Sequence, residues 1–192
     1  LGVVPRDAPF MIWEDPQSLD WSEEEREFLA GLPDGELLLE DMPAGVHTRI
    51  EGGGESRHLL ILWPYHLDPV AENFPLPIPD HYAEICMRGI STMIPGLAAY
   101  VERMPKPWVD GGYYTTTQDN RPLVGPLPIE GAYGHGALSG HGLMASAATS
   151  ELAAAHIADG KLPSYAGALH PARFDDEDYL AKIAEWDDTT QL

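Results

Sequence analysis

The amino-acid sequence predicts a mixed fold, α+β or α/β, with a mixed antiparallel sheet in the first part of the chain and a strand-to-helix unit in the last. Three observations predict it. Short runs rich in β-branched and aromatic residues are bounded by turn residues. Between them lie segments with helical spacing and capping residues. The 19 glycines and 18 prolines, about a fifth of the 192 residues, cut the chain into short elements. With 44% apolar and 22% charged side chains the chain can bury a core, which excludes a disordered tail.

Ser22 followed by Glu23, Glu24 and Glu25 predicts a helix over 22–30, because Ser22 and Glu25 have capping-box spacing and acids suit the positive helix end. Gly31 and Pro33 stop it, and Pro33-Asp34-Gly35 has turn chemistry. After the short apolar run Glu36 to Leu39, the alternating His47-Thr48-Arg49-Ile50 and the apolar His58 to Trp63 read as two strands. Gly52-Gly53-Gly54 joins them in a hairpin. Five prolines between Pro64 and Pro79 forbid a helix or central strand there. Asp80 is placed to cap a helix reaching about Ile94, where Pro95-Gly96 ends it. Trp108 to Thr117 reads as a strand, Arg121 to Gly125 follows closely, and Ala132 to Leu138 is a strand punctuated by glycine. A helix rich in alanine then runs from Leu143 to about Ala158 and stops at Asp159-Gly160; its small side chains permit close packing against a sheet or a cofactor. A short acidic helix near Tyr179 to Trp186 closes the chain.

Charge and cysteine usage narrow the function classes. With 31 acids against 11 Lys and Arg the net charge is −20, so nucleic acid and anionic membrane surfaces are repelled. No apolar run approaches the roughly 20 residues that span a bilayer, and no signal sequence opens the chain; a cytoplasmic location is expected. The single cysteine, Cys86, cannot form an internal disulfide and reads as a packing residue. Eight histidines occur without a His-x-x-x-His pair, so no metal site is expected. Ser139 does not sit in a Gly-x-Ser-x-Gly elbow, which argues against a hydrolase. The segment that points to chemistry is Ser139-Gly140-His141-Gly142, between strand and helix, where glycines let a ligand approach amide N–H groups at the positive helix end. A tight turn whose glycines satisfy geometry alone is the alternative from local pattern.

Three segments together resemble the C-terminal half of FAD-dependent oxidoreductases of the D-amino-acid oxidase superfamily, in the glycine oxidase and sarcosine oxidase branch. They are Tyr114-Thr115-Thr116-Thr117-Gln118-Asp119-Asn120-Arg121-Pro122-Leu123-Val124-Gly125, Ala137 to Met144, and Pro171-Ala172-Arg173-Phe174, in the family's order and spacing from Asp110 to Phe174. Upstream, Pro43 to Gly52 resembles a strand of the substrate domain, and Tyr65-His66 a Tyr-His pair that faces substrate. The resemblance implies a substrate-binding part over 1–110, the strand pair and C-terminal strand–helix of a Rossmann-like FAD-binding domain over 111–174, and an acidic tail over 175–192. The Gly-x-Gly-x-x-Gly element that binds the ADP part of FAD has no counterpart in the sequence. The expectation is therefore a second half, produced by cleavage or by splitting into two subunits, that needs a partner bearing the Rossmann half.

The implied reaction is hydride transfer from the C–H beside an amine nitrogen of a small amine or amino acid to flavin N5. Ser139, Gly140, His141, Gly142, Leu143 and Met144 are expected at the cofactor, and Tyr114, with His66 and Arg49, at the substrate. Met144 and Leu62 stand where monomeric sarcosine oxidases carry lysines for the substrate carboxylate and for oxygen. These departures lean away from sarcosine and towards a dehydrogenase or slow oxidase. Gly112 replaces the cysteine of covalent attachment, which implies dissociable FAD. A binding or scaffold module that keeps the fold without flavin is the competing expectation.

Overall fold

A computed structural model of the chain describes residues 2–32, 35–52, 55–66 and 69–186. It is mixed α+β with small antiparallel sheets and divides into two compact units, 1–111 and 112–192.

In the first unit, β1 (Met11–Trp13), β4 (Val46–Glu51) and β5 (His58–Leu62) form an antiparallel sheet in the order β1-β4-β5, with Thr48 opposite both Met11 and Ile61. Alternation along β4 buries Val46 and Thr48 and turns His47 and Arg49 outward. A two-stranded ribbon pairs β2 (Gln17–Ser18) with β3 (Asp41–Met42). The capping box at Ser22 starts α1 (Glu23–Leu29): Ser22 Oγ accepts from the Glu25 amide, and the Glu25 carboxylate accepts from the Ser22 amide at 2.7 Å. These bonds from Ser22 hold the Glu25 carboxyl below its ordinary pKa. The run Glu36 to Leu39 belongs to a one-turn helix, α2 (Gly35–Leu39). The turn expected at Pro33-Asp34 and the hairpin glycines Gly53 and Gly54 lie outside the described residues.

The third helix, α3 (Tyr82–Met93), begins later than its sequence signal. His81, not Asp80, is its N-cap, and no side chain caps it. Ile85, Cys86, Gly89 and Ile90 form its buried stripe. Gly89 is required by Trp63: a Cβ there would lie 2.2 Å from the indole ring. Trp63 is fully buried and donates its indole N–H to the Pro43 carbonyl, 3.0 Å away. Cys86 is buried in this core, and burial pushes its thiol up to about 11. Arg88 on the other face stacks 4.1 Å from Trp21 and reaches Glu84, Glu25 and the Asp20 carbonyl, tying α3 to α1.

The stretch Trp108 to Thr117 has no regular secondary structure and pairs with no strand, contrary to the strand expected there. Trp108 is 92% exposed, so its aromatic character reflects no burial in this chain. In the second unit, β6 (Leu123–Pro126) and β7 (Tyr133–Gly136) form an antiparallel hairpin against α4 (Gly142–Ile157). The helix ends with Asp159 at φ +51° and the Gly160 amide donating to the Ala155 carbonyl at 2.8 Å, so the left-handed residue is the aspartate rather than the glycine. The C-terminal helix α5 (Glu177–Ile183) starts earlier than expected because Asp176 caps it, accepting from the amides of Asp178 and Tyr179.

Candidate functional site

The turn ahead of α4 is the most unusual backbone of the second unit. Ala137 and Ser139 both have φ +53°, a left-handed conformation that costs about 1–2 kcal/mol for a residue with a Cβ. The sequence pointed to the glycines of the junction as the residues that give the turn its geometry. Instead Gly142 is ordinary right-handed helix at φ −52°, and the flanking alanine and serine are the strained residues. Ser139 to His141 form one turn of 3₁₀ helix that leads into α4.

Among the described residues no side-chain cap closes the head of α4. His141 at the N-cap makes no side-chain bond to the helix, and the first turn holds no acid. Leu143 and Met144, the next two residues after Gly142, are 92% and 77% exposed. The positive end of the helix therefore meets an apolar, open surface. Farther along, Thr149 donates to the Ala145 carbonyl at 2.9 Å. Its oxygen lies 2.9 Å from His135 Nε2, which fastens β7 to α4 when Nε2 carries the proton.

Tyr114 and the Ser139 turn are brought together. The Thr115 carbonyl, next to Tyr114, accepts from the Ser139 amide at 3.2 Å. Tyr114 itself is half exposed. Arg49 and His66 belong to the first unit and are not joined to each other there. Arg49 lies on the outward face of β4 in an ion pair with Glu51 at 2.7 Å, and His66 is exposed with its ring 4.5 Å from that of Tyr65. Tyr65 is the buried member of the Tyr-His pair. It stacks on Tyr82 at 5.7 Å, meets Trp63 edge-on at 5.6 Å, and its buried hydroxyl has no hydrogen-bond partner among the described residues. Burial raises the Tyr65 phenol well above its ordinary value.

One constellation was not singled out from sequence: a buried carboxylate in the second unit with five donors. Arg173 grips Asp119 bidentately, Nε to Oδ2 at 2.7 Å and Nη2 to Oδ1 at 2.8 Å, with both side chains almost fully buried. Tyr179 donates to Oδ2 at 2.5 Å, Thr117 to Oδ1 at 2.7 Å, and the Arg121 amide to Oδ1 at 3.2 Å. Burial alone would raise the Asp119 carboxyl, but these donors outweigh it and hold the group well below the carboxylate range. Both partners lie inside segments quoted above, yet 54 residues separate them and neither local pattern announces the pair.

Among the described residues no group of three or more His, Cys, Asp or Glu is placed to hold a metal ion, and no helix is long and apolar enough to cross a membrane. No family model, curated protein or solved structure matches the chain.

Proposed function

We propose that this chain is the isoalloxazine- and substrate-side part of an FAD-dependent amine or amino-acid oxidoreductase, of the glycine oxidase and sarcosine oxidase kind, completed by a partner half that binds the ADP part of the cofactor. The observation that carries this reading is the head of α4. Two left-handed residues present an uncapped, acid-free helix start beside exposed Leu143 and Met144. Strain of this sort persists where surrounding structure holds it, and it concentrates at ligand clamps. An open apolar rim around a positive helix end suits a flat ring system with an electron-rich edge.

When bound, FAD supplies the hydride acceptor at N5. The chain's own contribution is electrostatic and steric. Amides of Gly142 to Met144 would favour negative charge developing on a bound flavin, and Leu143 and Met144 would shield it from water once covered. Tyr114, exposed beside Thr115, is the candidate for binding a substrate carboxylate. The resemblance also assigns Arg49 and His66, both in the first unit, to substrate; Arg49 is held there in an ion pair with Glu51. Met144 in place of a lysine leaves carboxylate binding to these other residues, consistent with an amine substrate other than sarcosine.

The test is optical. Chain purified together with its partner half should show the two absorption bands of oxidised flavin, and denaturation without proteolysis should release FAD into the supernatant. A colourless intact complex would instead favour the flavin-free binding or scaffold module.

A further inference from the structure

We infer that the cluster of the buried Asp119 and Arg173 with the part-buried Tyr179 and Thr117 is a positioning device for the turn at 137–141, so that the C-terminal segment sets the head of α4. The inference rests on the flavin reading only for what that turn is used for. Its physical content stands on the hydrogen bonds of the second unit.

The path is continuous. Arg173 from the Pro171–Asp175 turn and Tyr179 from α5 converge on one carboxylate, that of Asp119. Arg173 also donates to the carbonyls of His170 and Arg121, which fixes the guanidinium plane. Asp119 Oδ1 faces Thr117 Oγ1, whose single proton is shared with the Arg121 carbonyl 2.7 Å away, while its oxygen accepts from the Arg121 amide at 3.1 Å. These bonds close a tight turn over 117–121, with Asn120 left-handed at φ +49° and its amide donating to the Thr117 carbonyl. Two residues before Thr117, the Thr115 carbonyl takes the Ser139 amide.

That contact matters because residues 108–117 belong to no sheet. Without ladder hydrogen bonds, the place of Thr115 is set by what anchors the chain just after it, and the anchor is the Asp119 cluster. Gly125 permits the arrangement: at φ +152°, a Cβ there would lie 3.2 Å from Pro171 and 3.3 Å from His170, so only glycine lets the Arg173 turn settle on β6. The Ser139 amide is thus the far end of a relay that begins 40 residues downstream, at Tyr179.

The experiment is amide hydrogen exchange of the chain read by NMR, with two graded lesions and one rescue. Thr117→Val keeps the shape and removes the hydroxyl, Tyr179→Phe removes one donor to Asp119, and Thr117→Ser restores the hydroxyl. Both lesions should speed exchange at Ser139 by about tenfold, a loss comparable to one hydrogen bond. Leu152 in the middle of α4 and Ile90 in α3 should exchange as before, and Thr117→Ser should behave as the parent chain. Unchanged exchange at Ser139 in both lesions, or equal acceleration at Ser139 and Leu152, would overturn the inference, the latter by reducing the cluster to a general stabiliser. The flavin reading fails separately: a colourless complex with the partner half removes it while a selective Ser139 response leaves the positioning role intact. In a yellow complex, Thr117→Val should also shift the flavin absorption maximum, and Thr117→Ser should restore it.

Discussion

The two units are held together by different kinds of interaction. The first buries a contiguous apolar cluster around Trp63, Met42, Ile85 and Ile90, with Trp21, Tyr65 and Leu38 among its other members. In the second, the buried apolar cluster among the described residues is Val124, Leu152 and Ala166, and the buried Asp119–Arg173 pair stands beside it. Meanwhile α4, whose sixteen residues include a single carboxylate, buries only Thr149 and Leu152 and leaves Leu143, Met144 and Ile157 exposed. A helix apolar on all sides belongs in an interior. The contrast teaches that the first unit rests on a packed apolar core, whereas the second relies on one polar clasp and leaves apolar side chains of α4 exposed.

The largest effect should come from the clasp. Asp119→Ala leaves Arg173 buried and unpaired and should cost about 3–5 kcal/mol of second-unit stability. Trp186, the one tryptophan of residues 112–192, should report this in denaturant titrations, while the buried Trp21 and Trp63 report an unchanged first unit. Acid should do the same by titration. The folded Asp119 carboxyl lies below its unfolded value of about 3.9, so its contribution is complete above that pH and lost as pH falls towards the folded value. Trp186 fluorescence should therefore change at a higher pH than any change in the first unit that depends on its apolar core. Coincident acid transitions would break the comparison.

A packing lesion should discriminate in the other direction. Gly89→Ala drives a methyl into the Trp63 ring and should cost about 1–3 kcal/mol, lowering the midpoint of the first unit alone. Ser22→Ala removes one half of the capping box and should cost about 1 kcal/mol, read as a smaller shift of the same transition. The smallest stability effect belongs to Leu143→Ser, within about 0.5 kcal/mol because the side chain touches almost nothing. If the proposed partner half covers α4, the same substitution should nevertheless weaken assembly with it, measured as a raised Kd in a pull-down titration. An unchanged Kd would mean that α4 is not the covered surface.

Much of the architecture was legible from local pattern. Helical spacing with a capping box placed α1, alternation flanking a glycine run placed β4 and β5, and the alanine-rich stretch placed α4 within a residue of its bounds. The misreadings share one cause. Trp108 to Thr117 has strand composition but no neighbour to pair with, and Asp80 has a capping side chain one residue ahead of the cap position. Composition states what a segment is able to do, whereas pairing depends on which other segment arrives.

The candidate site divides along the same line. Residues 139–144 stood out because glycines and the start of a helix are neighbours in the chain, and interactions within about four residues can be read from spacing alone. The sequence by itself thus determined the helix, its stop, the excess of acid and the position of the junction. Only the tertiary structure decided that Ala137 and Ser139 take the left-handed backbone, that Leu143 and Met144 face outward, and that Arg173 meets Asp119 across 54 residues. Each of those depends on where distant backbone comes to rest, and a buried charge or an empty helix face exists only once the rest of the chain has taken its place around it.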